Sequence, residues 1–254
     1  MHKVINSTYQ KNTQALDSII LNFNNEGEAY GNQDRNSLRL FQLEGKTLNV
    51  KSFRSPNIVN KFVYKYFRKS KAQRSFEYAN KLIKMNIGTP DPVAFYEVNS
   101  SLVFGNSYYI SVHLNYDITF RELVFDFNIP NHEAILRAFT RFTFELHEKE
   151  INFLDHSPGN TLIQYNNGDY LFYLVDLNRM KFEPMSIEKR IKNFAKLSSS
   201  KRIVEVMSSE YAKCIEVDYN YVFDLMWRET ESFQESFHKR ARLKKRVKFW
   251  KKSL

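Results

Sequence analysis

Short apolar runs of period two dominate the first half of the chain. Leu38 to Gln42 and Thr47 to Phe53 read as two strands joined by Glu44-Gly45-Lys46. Val93 to Val98 and Ser107 to His113 read as a second pair around a turn at Asn99 to Asn106. Between the pairs the period changes. Phe76, Ala79, Leu82 and Ile83 recur at helical spacing within Lys71 to Asn86, and Gly88, Pro90 and Pro92 supply the stop. Residues 56–70 mix apolar and basic side chains and predict a helix or an insertion. Residues 1–26 are polar and weakly patterned, and predict a strand or an extended arm with no assigned role.

The second half is mostly helical in pattern. Thr119 to Phe127 predicts a short helix, and Pro130-Asn131 opens a longer one with Ile135, Phe139, Phe142 and Leu146 on one face. A hairpin follows: Thr161 to Tyr165, the turn Asn166-Asn167-Gly168-Asp169, then Tyr170 to Val175. Three further helices are expected over Ser186 to Ser198, Arg202 to Cys214 and Asp218 to Lys239. The class is therefore α+β, with a small antiparallel sheet and one main helix ahead of a mostly helical half.

Composition narrows the function. The chain has 254 residues, 22 Phe and 15 Tyr, enough to build a core. Cys214 is the single cysteine, so no intrachain disulfide can form, which fits a reducing compartment. No apolar run is long enough to cross a bilayer, and the first residues lack the apolar segment of a secretory signal, so export is not expected. A net charge of +10 favours an anionic partner: a nucleotide, a nucleic acid or an acidic membrane face. Two tempting motifs fail. Gly45-Lys46-Thr47 would need glycine where Leu40 stands, and His147-Glu148 would need histidine where Ile151 stands. His147 is expected to be structural.

The candidate chemistry lies in Phe153-Leu154-Asp155-His156-Ser157-Pro158-Gly159-Asn160, answered by Leu174-Val175-Asp176. Pairing the hairpin strands brings Asn160 and Asp176 to one end. Two hard oxygen donors there suit Mg²⁺, which keeps part of its water shell. Asp155 would face the metal-bound group. One acid to take a proton, with an amide and an acid for the metal, is a minimal kit for phosphoryl transfer. The plain alternative is a loop of turn residues at a buried strand end. Lys51 stands in the middle of a half-apolar strand, and Glu77 at the rim of the helix face after Phe76. Each has an ordinary surface reading as well.

The spacing Asp155-x-x-x-x-Asn160, with Asp176 after a hairpin, resembles the catalytic and metal-binding loops of the protein-kinase-like fold. Val175-Asp176-Leu177-Asn178-Arg179, Ala72-x-Arg74-Ser75-Phe76-Glu77 and Gly88-Thr89-Pro90-x-Pro92 resemble more narrowly the lipopolysaccharide kinase family, which includes the Kdo kinases and core heptose kinases. The resemblance runs over roughly residues 30–240. It implies a bilobal fold, with a nucleotide-binding N-lobe over 1–113 and a C-lobe over 114–254, and a hinge near Leu114 to Asp117. It implies that Lys51 steadies the phosphates of ATP, that Glu77 positions Lys51, that Asn160 and Asp176 hold Mg²⁺, and that Asp155 is the catalytic base. The acceptor implied is a saccharide or lipid-linked saccharide, a Kdo or heptose hydroxyl of the lipopolysaccharide inner core. The site of action implied is cytoplasmic, peripheral on the inner face of the membrane.

Some features depart from the wider superfamily. Phe153-Leu154 and Leu177-Asn178 replace its usual neighbours of the two acids, and Gly27-Glu28-Ala29-Tyr30-Gly31 is not its glycine-rich loop. These departures favour a rival reading, a pseudokinase that binds a nucleotide or partner without catalysis. Lys239 to Lys252 carries nine Lys or Arg residues interleaved with Leu243, Val247, Phe249 and Trp250. That tail suits an anionic lipid surface. It also admits a weaker reading, a RIO-type kinase associated with nucleic acid.

Overall fold

The computed structural model describes residues 1–31, 36–53, 69–98 and 105–250, the last seven of these by backbone alone. The helix or insertion expected over 56–70 lies outside these residues up to position 68, as do most of the turn after Val98 and the last two residues of the basic tail. By contacts the chain divides into two compact units. Residues 1–115 with 173–179 form the first, and 116–172 with 180–254 the second.

The first unit is built on a six-stranded sheet. Its strands are β1 (His2–Ile5), β2 (Glu28–Ala29), β3 (Asn36–Leu43), β4 (Lys46–Phe53), β5 (Pro92–Glu97) and β6 (Ser107–Val112), in the spatial order β1-β5-β6-β4-β3-β2. Every described pairing in it is antiparallel. Period-two alternation in β4 sorts the side chains to two faces. Leu48 and Val50 point into a cluster with Leu16, Ile20 and Phe23. Lys51 and Phe53 point to the opposite face, where Phe53 packs with Ala72, Phe76 and Phe95. The helix on that face, α2 (Lys71–Lys84), is capped by Ser70, whose hydroxyl accepts from the Gln73 amide at 3.0 Å.

Residues 1–26 do more than the sequence reading allowed. They form β1, a 3-10 turn (Ser7–Asn12) and helix α1 (Thr13–Leu21). Leu16, Ile19, Ile20 and Phe23 follow the i, i+3, i+4, i+7 pattern of a buried stripe and all four are buried. The sheet thus has a helix on each face.

The second unit begins with β7 (Ile118–Thr119) and the short α3 (Phe120–Phe125), whose capping box joins Thr119 and Glu122. The long α4 (His132–Glu148) buries Ile135, Phe139 and Leu146. After it come β8 (Ile151–Phe153), a single 3-10 turn (Pro158–Asn160), β9 (Thr161–Asn166), β10 (Asp169–Leu174) and β11 (Met180–Phe182). β9 sits between β10 and β7, and β11 pairs with β8. The expected hairpin is present as β9 and β10. Helices α5 (Ile187–Lys192), α6 (Lys201–Ile215) and α7 (Tyr219–Trp250) complete the unit. Two bounds differ most from the sequence reading. α5 stops at Lys192 instead of Ser198, and α7 runs on to Trp250.

Candidate active site

Two constellations carry the sequence-predicted residues, one in each unit. In the first unit the strand lysine has found an acid. Lys51 Nζ lies 2.7 Å from Asp176 Oδ1, with the lysine side chain only 15% exposed. A largely buried ammonium needs a counter-charge, because an unpaired one would cost several kcal/mol. Asp176 supplies it, and the same oxygen accepts from Asn178 Nδ2 at 2.6 Å.

The backbone holds Asp176 in an unusual state. Its φ is +58°. That left-handed conformation costs an L-residue on the order of 1 kcal/mol or more, and aspartate tolerates it better than most. Such strain survives only where surrounding bonds over-determine it. Here the strand end before Asp176 is clamped. Leu174 N donates to Gly88 O at 2.9 Å, and Thr89 Oγ1 donates to Leu174 O at 2.8 Å. The Gly88-Thr89-Pro90 segment, read in the sequence as the stop of α2 and as part of the family resemblance, therefore holds the segment that carries Asp176.

Glu77 is placed differently from the expectation. Its carboxylate accepts from Lys69 Nζ at 2.8 Å and 2.9 Å and from Gln73 Nε2 at 3.0 Å. Lys51 has Asp176 and not Glu77 as its partner. Gln73 lies one helical turn before Glu77 and Lys69 just ahead of the α2 N-cap, so both reach the carboxylate locally.

In the second unit the loop from Phe153 to Asn160 carries Asp155 and Asn160. Its ends are pinned by β8 and β9, and its middle by two internal backbone bonds, His156 N to Phe153 O and Asn160 N to Ser157 O. Asn160 Nδ2 donates to Asp155 O at 2.8 Å. That bond fixes the amide and leaves its oxygen for another ligand. The Asp155 side chain is about a third exposed, 32%, and its Oδ1 lies 3.8 Å from Lys196 Nζ. Lys196 also donates to Leu154 O at 2.5 Å.

Beneath the loop runs a buried polar network that sequence reasoning missed in part. Asn193, just past α5, donates to Phe153 O at 2.9 Å. Its side-chain oxygen accepts from His156 Nδ1 at 3.1 Å and from His147 Nε2 at 3.4 Å. Those roles assign the tautomers, so that His147 Nδ1 accepts from the Tyr211 hydroxyl at 2.7 Å. Burial pushes His147 down to about 3 and His156 down to about 4, so both rings are neutral near pH 7. His147 is structural, as expected, and His156 both packs and orients the loop. Asn193 and Lys196 carry no motif. Their place in the chain, inside an apparent helix, hid them.

Each of the two expected magnesium ligands, taken in its own unit, carries a hard oxygen donor of the kind that ion prefers: Asp176 a carboxylate in the first, and Asn160 in the second an amide oxygen oriented by the bond from its Nδ2 to Asp155 O. The residues fit the ion in kind. Among the described residues no cluster of three or more His, Cys, Asp or Glu side chains could hold a metal, so water or phosphate oxygens would complete the shell.

No protein-family model matches this chain. No curated protein matches it in sequence either. Its fold is widely shared among solved structures. One of them is WaaP in complex with acyl carrier protein, which covers 91% of this chain and 99% of its own, with a TM-score of 0.63 and 16% identity. The α+β protein-kinase-like fold implied by the sequence resemblance is thus the fold this chain has.

Proposed function

We propose that this protein is an ATP-dependent kinase that phosphorylates a sugar hydroxyl, a Kdo or heptose of a lipopolysaccharide inner core. The observation that carries the reading is the ion pair of Lys51 with Asp176, the latter strained at φ +58° on a clamped strand end. A strand lysine facing the acid that follows the hairpin is what a triphosphate and its metal need. The fold shared with WaaP supports the same reading.

Each residue has a role in it. Lys51 neutralises phosphate oxygens of ATP. Asn160 and Asp176 would hold Mg²⁺, which when bound would supply charge neutralisation for the transferring phosphoryl group. Asp155 accepts the proton of the acceptor hydroxyl as that oxygen bonds to the γ-phosphorus. The bond from the γ-phosphorus to the bridging oxygen breaks, and ADP leaves. Lys196, beside Asp155, holds the loop through Leu154 O. Glu77 would position Lys51 in the nucleotide-bound state, in place of the partners Lys69 and Gln73 that it has here. The acceptor is anchored in a membrane, and the basic tail over 239–252 holds the enzyme to its anionic cytoplasmic face. Among the described residues no helix is long and apolar enough to cross a membrane.

The test is thermal unfolding with ATP, with and without Mg²⁺. A rise in midpoint that needs the metal and disappears in Asp176→Asn is expected. No shift in the wild type would remove nucleotide from the account. The second reading, a pseudokinase, is favoured by one observation, that Glu77 is held by Lys69 and Gln73. It predicts nucleotide binding without Mg²⁺-dependent consumption of ATP in the presence of purified core saccharide.

A further inference from the structure

The guanidinium of Arg121, near the start of α3, lies directly against the loop between Asp155 and Asn160. A Cβ built on Gly159 would sit 2.6 Å from Arg121 Nη2, 3.4 Å from Cζ and 3.6 Å from Nε. The arginine fork therefore brings its Nη2 into the space that a side chain at Gly159 would take. Arg121 is exposed, and among the described residues its guanidinium has no ion-pair partner.

The acids that flank it in sequence, and Asp155 in the loop, have other partners. Glu122 closes the α3 cap by accepting from Thr119 N. Asp126 accepts from Asn128 N, and Asp117 from Tyr165 N. The Asp155 carboxylate faces Lys196. A full positive charge, with up to five donors in a planar fork, is thus held beside the reacting loop with no acid of its own. Arginine in this form is suited to a bidentate partner, a carboxylate or a phosphate. Packing explains its position without explaining the missing acid: Phe120 next to it is fully buried and anchors the helix, while Arg121 itself reaches outward over the loop.

We propose that Arg121 is the acceptor-specificity residue, binding a carboxylate or phosphate carried by the sugar whose hydroxyl Asp155 deprotonates. This rests on the kinase reading and adds a substrate class to it: the acceptor must be acidic. It also gives Gly159 a purpose, since a side chain there would drive the fork off the loop.

The experiment is binding of two pairs of soluble saccharides to the nucleotide-free protein, measured by titration calorimetry or ligand-observed NMR. One pair is the methyl glycoside of Kdo and its carboxyl-reduced form. The other is a methyl heptoside with and without a phosphate monoester. The wild type should bind at least one charged member about tenfold or more tightly than its neutral mate. Arg121→Gln should abolish that preference, and Gly159→Ala, which keeps the charge but displaces the fork, should weaken it. Thermal midpoints should be unchanged in both variants. The pair that shows the preference separates carboxylate from phosphate. Equal binding of charged and neutral sugars by the wild type overturns the proposal, as does a preference that survives in Arg121→Gln. Loss of the Mg²⁺-dependent ATP shift in the wild type would instead overturn the kinase reading, and is scored in a separate assay.

Discussion

Asn193 shows how one side chain can decide a loop's geometry. It holds Phe153 O and both buried histidines, so replacing it strands several polar groups at once. Each buried group left without a partner costs about 1–3 kcal/mol. Asn193→Leu should therefore lower stability by about 2 kcal/mol or more, read in urea unfolding, and reduce turnover through Asp155. A variant as stable as the wild type would show that the network is incidental. The histidines set a pH dependence whose sign follows from their lowered values in the fold. The folded rings stay neutral while the unfolded ones protonate below about 6.5. Their contribution is complete above that pH and is lost as pH falls toward about 4. Two such groups give a slope of about 2–3 kcal/mol per pH unit near pH 5. Urea midpoints at pH 7, 6 and 5 check this, and His156→Gln should remove one of the two contributions. At the same scale, spacing alone singled out Asp155, Asn160 and Asp176 as candidates. Asn193 and Lys196 were not singled out, because their partners are backbone carbonyls some 40 residues away in sequence, and no local pattern encodes such a bond.

Among the elements, the hairpin β9–β10 and the strands β3 to β6 follow their period-two patterns closely. Alternation specifies a half-buried strand and turn residues specify its ends. Helix α1 carried an equally plain signal in Leu16, Ile19, Ile20 and Phe23, but the polar residues around it masked the stripe. Leu16 is fully buried in the cluster with Leu48 and Val50. Leu16→Ala should cost about 2–5 kcal/mol, measured by denaturant unfolding. A loss under about 1 kcal/mol would mean that α1 is an appendage to the sheet. The early end of α5 has a different cause. Helical periodicity continued beyond Lys192, yet Asn193 bonds into the loop and the chain turns there. Tertiary hydrogen bonding overrode local propensity, which the pattern alone does not reveal. Lys51 and Glu77 are a third case. Both sit on the elements expected, but the ion pair each makes was decided by which charge lay closest, Asp176 for one and Lys69 for the other. Lys51→Met should leave the fold intact and remove most of the ATP-dependent rise in midpoint. An unchanged rise would deny the lysine its phosphate role.

For the whole molecule, the fold class was legible because strand pairs, a helix between them and a helical second half leave few topologies. Function was legible only as far as five residues in order allow, and the acceptor was not. The charge of +10 narrows it to something anionic without naming it. The central claim is that Asp155 serves a phosphoryl transfer to an inner-core sugar. It is tested most directly by following labelled γ-phosphate from ATP into purified inner-core saccharide with Mg²⁺, for the wild type and Asp155→Asn side by side. The account predicts incorporation by the wild type and a fall of about 10²-fold or more in the variant, with equal thermal midpoints. Incorporation at near-normal rate by Asp155→Asn, or none by a wild type that binds MgATP, would contradict it.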